Sequence, residues 1–158
     1  MNNLKIEMLE GELTKSQNYK VGVIVSRFNT SITNSLLEGA KIAISDHNSI
    51  LSACVFVPGA FELSLVAKKM AASGDYDALV VLGCVIRGET SHYDYVCLGV
   101  TQGINQVGLD YEIPIGFGVL TTENRDQAIS RSKEGPDNKG YEVTITALKM
   151  VDVLKKLP

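Results

Sequence analysis

Apolar residues along this chain fall into two alternating patterns: short continuous runs, and stripes in which an apolar side chain returns every third or fourth position. Val21-Gly22-Val23-Ile24-Val25 is a β-branched run of strand length, and Ile32, Leu36, Ala40 and Ile44 then recur at the spacing of one helix face. A second run, Ile50 to Val57, ends at Pro58-Gly59. Phe61, Leu65 and Ala72, with Val66 and Met70 beside them, predict a second helix. The third run is Ala78 to Val85, followed by a stripe of Tyr93, Val96, Cys97, Val100 and Ile104. Ile113 to Leu120 predicts a fourth strand and Ala128-Ile129 a short helix. Tyr141, Ile145, Leu148, Val151 and Leu154 predict a last, amphipathic helix.

The order is therefore β-α-β-α-β-α-β-α-α. Strands that are apolar throughout need cover on both faces, which is the situation of a parallel sheet between helices. Each crossover is expected to be right-handed. The expected fold is α/β: a three-layer α-β-α sandwich, flavodoxin-like, around a four-stranded parallel sheet. One domain is expected over residues 1–158, with residues 1–18 an N-terminal arm outside the α/β core. That arm reads either as a disordered tail or, because Leu4, Ile6 and Met8 alternate, as a strand seeking a sheet edge such as a neighbour's.

At 158 residues the chain can bury a core without a staple, and its 45% apolar and 21% charged residues are those of a globular protein. A net charge of −3 gives no reason to expect nucleic acid or anionic lipid as a partner. The longest apolar run, Ala78 to Ile86, is less than half of the roughly 20 residues a membrane span requires. The first seven residues, Met1 to Glu7, lack the apolar stretch of a secretory leader, so a cytoplasmic location is expected. Cys54, Cys84 and Cys97 are odd in number and not spaced as metal ligands; buried free thiols in a reducing compartment are expected.

In an open parallel sheet, ligands bind beyond the carboxyl ends of the strands, where helix N-termini and loops meet. Four segments qualify: Ser26 to Thr30, Pro58 to Glu62, Arg87 to His92, and Thr121 to Asn124. Thr90 or Ser91 can cap the third helix, and Ser91 with Asp94 approximates a capping box. His92 then falls in the first helical turn, where the macrodipole disfavours imidazolium and leaves a neutral ring able to accept a proton. A histidine that merely caps or packs would fit the same spacing, and His47 keeps that plain reading. Gly88-Glu89-Thr90 offers N–H groups and a hydroxyl to an anion, although every helix begins with free N–H groups. No P-loop or dinucleotide fingerprint exists. Phe28 can stack on a flat heterocycle or fold back as a core plug. Glu62 suits either a ligand or simply the helix dipole. Arg131 and Lys139 flank the loop Ser132 to Asn138, where charge is commonly just solvated.

Taken together, three stretches resemble the lumazine synthase (6,7-dimethyl-8-ribityllumazine synthase) family: Pro58-Gly59-Ala60-Phe61-Glu62, Gly83 to Val96 with Arg87-Gly88-Glu89-Thr90-Ser91-His92 at its centre, and Gly116-Phe117-Gly118 through Asn124. Arg27-Phe28-Asn29 and Asn138-Lys139-Gly140 fit in order and spacing, so the resemblance spans residues 18 to 157. It implies the penultimate step of riboflavin biosynthesis, a condensation of 5-amino-6-(D-ribitylamino)uracil with 3,4-dihydroxy-2-butanone 4-phosphate that releases phosphate and water. It implies no metal and no organic cofactor. By resemblance Phe28 stacks on the uracil, Gly59, Ala60 and Glu62 hold the ribityl chain, and Val85 and Ile86 line the pyrimidine. Glu89, Thr90 and Arg131 match phosphate-binding positions, and His92 the proton-transfer residue. Phe117 and Lys139 complete the site, Phe117 from an adjacent subunit.

The resemblance also implies a homopentamer, in some relatives a shell of pentamers, and a riboflavin synthase partner. Residues 132–137, Ser-Lys-Glu-Gly-Pro-Asp, depart from the family's usual small residues and extra lysine, which favours a lone pentamer. The alternative reading is a lumazine- or flavin-binding protein of the same fold without turnover. A flavodoxin-like electron carrier is disfavoured because Arg27-Phe28-Asn29 is no phosphate loop, and a response regulator because no acidic cluster follows the first strand.

Overall fold

The apolar runs become strands and the stripes become helices in the computed structural model, which describes residues 6–14 and 18–158. The elements are β1 (Lys20–Ser26), α1 (Thr30–Asp46), β2 (Ile50–Val57), a 3-10 turn (Ala60–Glu62), α2 (Leu63–Ser73), β3 (Ala78–Ile86), α3 (His92–Tyr111), β4 (Ile115–Thr122), α4 (Arg125–Ser132) and α5 (Lys139–Lys156). All neighbouring strands are parallel, in the order β2-β1-β3-β4. This is the α/β sandwich expected.

Period-2 alternation of the two central strands divides the core. Val21, Val23 and Val25 of β1 and Ala78, Val80, Leu82 and Cys84 of β3 face α1, α5 and Ala128 of α4. Ile24, Leu79 and Val81 face α2 and α3 on the other side. Burial of each of these valine, leucine and isoleucine side chains contributes about 1.5–3 kcal/mol. Because β1 has β2 on one side and β3 on the other, the connections diverge at its carboxyl end, and a crevice opens there between β1 and β3.

Several expectations need correction. The strand β2 is not covered on both faces: it is an edge, and Ile50, Leu51 and Phe56 are exposed. Cys54 on it is exposed too, and of the three cysteines only Cys84 is fully buried. Phe61 and Leu65 do not face the core. The tighter 3-10 turn over Ala60–Glu62 shifts the helical phase, so α2 buries Leu63, Ala67 and Ala71 beside the expected Met70, and Ala72 is exposed. The strand β4 starts two residues later than the apolar run, because Pro114 has no N–H for the ladder and only its carbonyl pairs, accepting from Leu79 at 3.0 Å.

Before β1, Ile6 and Met8 are exposed and in no strand, while Leu4 lies outside the described residues. The next residues lie along α5. The Glu12 N–H donates to Asp152 Oδ2 at 2.8 Å, Lys156 Nζ donates to the Glu10 carbonyl at 2.8 Å, and Leu13 packs on the core. Gly11 permits this approach, since a Cβ there would sit 2.3 Å from the Lys149 carbonyl oxygen.

Candidate active site

The chain leaving β1 is tied at once to the end of β2: the Arg27 N–H donates to the Val57 carbonyl at 2.8 Å and the Phe28 N–H to the Pro58 carbonyl at 3.0 Å. Asn29 then turns in the left-handed region, φ 61°, a conformation asparagine tolerates. Its carbonyl accepts the N–H groups of Ile32 and Thr33, and its Nδ2 donates to the Cys84 carbonyl at 2.9 Å. These bonds pin the turn and leave the Phe28 ring 72% exposed, so it is no core plug. Arg27 turns away and stacks on Phe56, 3.7 Å from the ring centroid.

On the adjacent strand end, extended Gly59 leads into the 3-10 turn. The Glu62 carboxylate folds back over it: a Cβ on Gly59 would lie 2.9 Å from Glu62 Oε2. From β3 the chain passes Val85 and Ile86 into the loop that starts α3 at His92. The expected capping box is not formed. Ser91 occupies the cap position without a side-chain bond, the His92 N–H meets Thr90 Oγ1 at 3.3 Å, and the Asp94 carboxylate is drawn to Arg87.

These segments enclose one cavity of about 530 Å³, within the usual range for small-molecule sites. Phe28, Gly59, Ala60, Glu62, Val85, Ile86, Thr90 and His92, all singled out from the sequence, line it. So do residues to which sequence reasoning gave no role: Phe61, Cys84, Tyr93, Tyr95 and Val96. Tyr95 and Phe61 are 69% and 61% exposed, and the only advance signal was their place beside motif residues. Burial pushes the Cys84 thiol up to about 11, against a smaller opposing effect of Arg125, so it stays protonated at neutral pH and is a poor nucleophile. Burial likewise raises the Tyr93 hydroxyl, which shares hydrogen bonds with Cys97 and Thr121.

Glu89 sits exposed in the loop and does not line the cavity. Phe117, Arg131 and Lys139 border a different cavity of about 240 Å³, with Thr121, Thr122 and Val143. Within one chain, therefore, the residues expected at the site, Glu89 apart, divide between two cavities. Lys139 is placed by Asn138, which caps α5 through bonds from Gly140 N–H (2.8 Å) and Tyr141 N–H (3.3 Å). The Asn138 amide also donates to the Ser35 and Ser132 carbonyls at 3.1 and 2.9 Å. Gly140 brings α5 onto α1: a Cβ there would lie 1.9 Å from the Leu36 carbonyl oxygen. Among the described residues, no group of three or more His, Cys, Asp or Glu is placed to share a metal ion. None of their helices is long and apolar enough to cross a membrane.

A doubly wound sheet with an apolar crevice at the carboxyl ends of its strands, edged by a few polar groups, defines an α/β protein of the flavodoxin-like class with a cavity of small-molecule size. Residues 18–155 match the sequence model of the 6,7-dimethyl-8-ribityllumazine synthase family. The chain belongs to that family, whose members are transferases of riboflavin biosynthesis.

Proposed function

We propose that the chain condenses 5-amino-6-(D-ribitylamino)uracil with 3,4-dihydroxy-2-butanone 4-phosphate to 6,7-dimethyl-8-ribityllumazine, phosphate and water. Phe28 stacks on the uracil ring against the apolar wall of Val85 and Ile86. Gly59, Ala60 and Glu62 hold the hydroxylated ribityl chain. The amine attacks the ketone to form an imine, phosphate leaves by elimination, and the second nitrogen closes the ring. Each stage is a proton transfer with charge stabilisation, so positioning and one base at His92 suffice. Thr90, the loop at Glu89 and Arg131 hold the phosphate, Arg131 through its planar fork.

The observation that carries this reading is the convergence of Phe28, the Gly59–Glu62 turn, Val85, Ile86, Thr90 and His92 on one cavity in a chain of this family. The split between that cavity and the one bordered by Phe117, Arg131 and Lys139 supports a site completed across a subunit interface. The working form is then a homopentamer of single-domain chains, in the cytoplasm.

Incubation of the purified protein with both substrates, followed by lumazine absorbance and fluorescence, tests the reaction. The expected rate exceeds the uncatalysed condensation; a rate equal to it makes the protein a binder without turnover. His92→Ala is expected to lower kcat by on the order of 10²-fold and leave ribitylaminouracil affinity near normal, as for loss of a general base.

A further inference from the structure

The His92 imidazole is not aimed by any partner of its own. Among the described residues the hydrogen bond at this position is made by its backbone N–H, to Thr90 Oγ1, and the ring has none. The direction of the ring is therefore inherited from the first turn of α3, and that turn lacks a side-chain cap. The tie comes from Arg87, one residue beyond β3. Its Nη1 donates to Asp94 Oδ1 at 3.1 Å, and its guanidinium lies over the Tyr93 ring, 4.2 Å from the centroid. It thus grips the two residues that follow His92. Its other arm is fixed: Nε donates to Glu123 Oε2 at 2.8 Å, and the Glu123 N–H is held by Gln127 Oε1 at 2.9 Å at the start of α4. The backbone closes the frame, the Arg87 N–H donating to the Thr122 carbonyl at 2.9 Å.

An exposed ion pair alone contributes little. A planar fork bonded in two directions while stacked on an aromatic face instead fixes orientation, which a lysine's point charge does not reproduce. We propose that Arg87 is a positioning residue that sets the first turn of α3 against the end of β4 and so aims His92 into the cavity. The proposal rests on the reading of His92 as the proton-transfer group.

The chain has only two histidines, so ring-labelled protein gives two assignable imidazole signals, with His47 as internal control. In Arg87→Gln the His92 signal is expected to move or broaden while that of His47 stays. kcat falls about tenfold or more, as for a misplaced catalytic group, with both KM values nearly kept. Arg87→Lys restores only part of the rate. In a His92→Ala background, Arg87→Gln costs nothing further, because the two act as one unit. Glu123→Gln and Asp94→Asn, which each remove one exposed arm, give smaller changes of the same kind and stand in should Arg87→Gln fail to fold. An unmoved His92 signal overturns the proposal. So does an equal loss of kcat in both backgrounds, or full kcat in Arg87→Gln beside an impaired His92→Ala. If His92→Ala itself keeps full activity, the base reading fails, and the His92 signal still decides whether Arg87 holds the ring.

Discussion

Arg131 is only partly engaged within its own chain. Its Nη1 donates to the Gln127 carbonyl at 3.0 Å, with Ser130 Oγ at 3.4 Å, and among the described residues it forms no ion pair. Lys139, by contrast, is joined to Glu142 at 2.6 Å. On the proposed reading Arg131 turns the rest of its fork to the phosphate, so Arg131→Ala is expected to raise the KM for the phosphorylated ketone. Charge-assisted bonds contribute about 1.5–3 kcal/mol each, which corresponds to a rise of roughly 10- to 100-fold. Steady-state kinetics with the ketone varied checks this; an unchanged KM moves the phosphate elsewhere. At this scale the sequence named residue types that can do the chemistry. It could not say that Phe28 points outward, which depends on the bond from Asn29 to the Cys84 carbonyl, 55 residues away in the chain.

Among the elements, α5 depends most on one side chain. Asn138 is 2% exposed and serves the α5 N-terminus, the Ser35 carbonyl of α1 and the Ser132 carbonyl of α4 together. Asn138→Ala removes a cap and strands two carbonyls, so a loss of about 2–3 kcal/mol in chemical denaturation is expected. The N-terminal segment gives a second test at this scale. The bond from the Glu12 N–H, and then the contact with Lys156, hold the Asp152 carboxyl below its ordinary value of 3.8. A carboxyl lowered on folding stabilises above its unfolded value and loses that effect as pH falls through its folded one. Residues 10–13 are thus expected to stay docked at neutral pH and to loosen progressively as pH falls below 3.8, seen as faster exchange of the Glu12 amide. Asp152→Ala, which removes the acceptor, should give the released state at neutral pH.

For the whole molecule, the outward apolar residues matter most. Phe61 of the 3-10 turn, Leu65 at the start of α2 and Tyr95, Leu98 and Leu109 on α3 are exposed together with Phe117 of β4. Large exposed apolar surfaces mark interaction sites. On the proposed assembly they meet a second copy, which brings Phe117, Arg131 and Lys139 to the cavity of the next chain. Sedimentation is expected to give a mass near five times the 17.1 kDa protomer. Leu98→Glu, which buries an unpaired charge in that contact, should release smaller species and lower activity in parallel. A fully active monomer would remove the shared site.

The sequence by itself determined the order of elements, the parallel sheet and the family, because apolar period and motif spacing are local properties of the chain. It also placed Phe28, Gly59–Glu62, Thr90 and His92 after strands, hence on one edge, with Val85 and Ile86 at the end of the third strand. Tertiary structure decided what depends on distance across the fold. The 3-10 turn set which face of α2 is buried, the sheet order made β2 an edge and exposed Cys54, and Arg87 took Asp94 away from the expected capping box. That Arg131 and His92 line different cavities belongs to the same class, since no spacing along a chain records which surfaces face each other once it is folded.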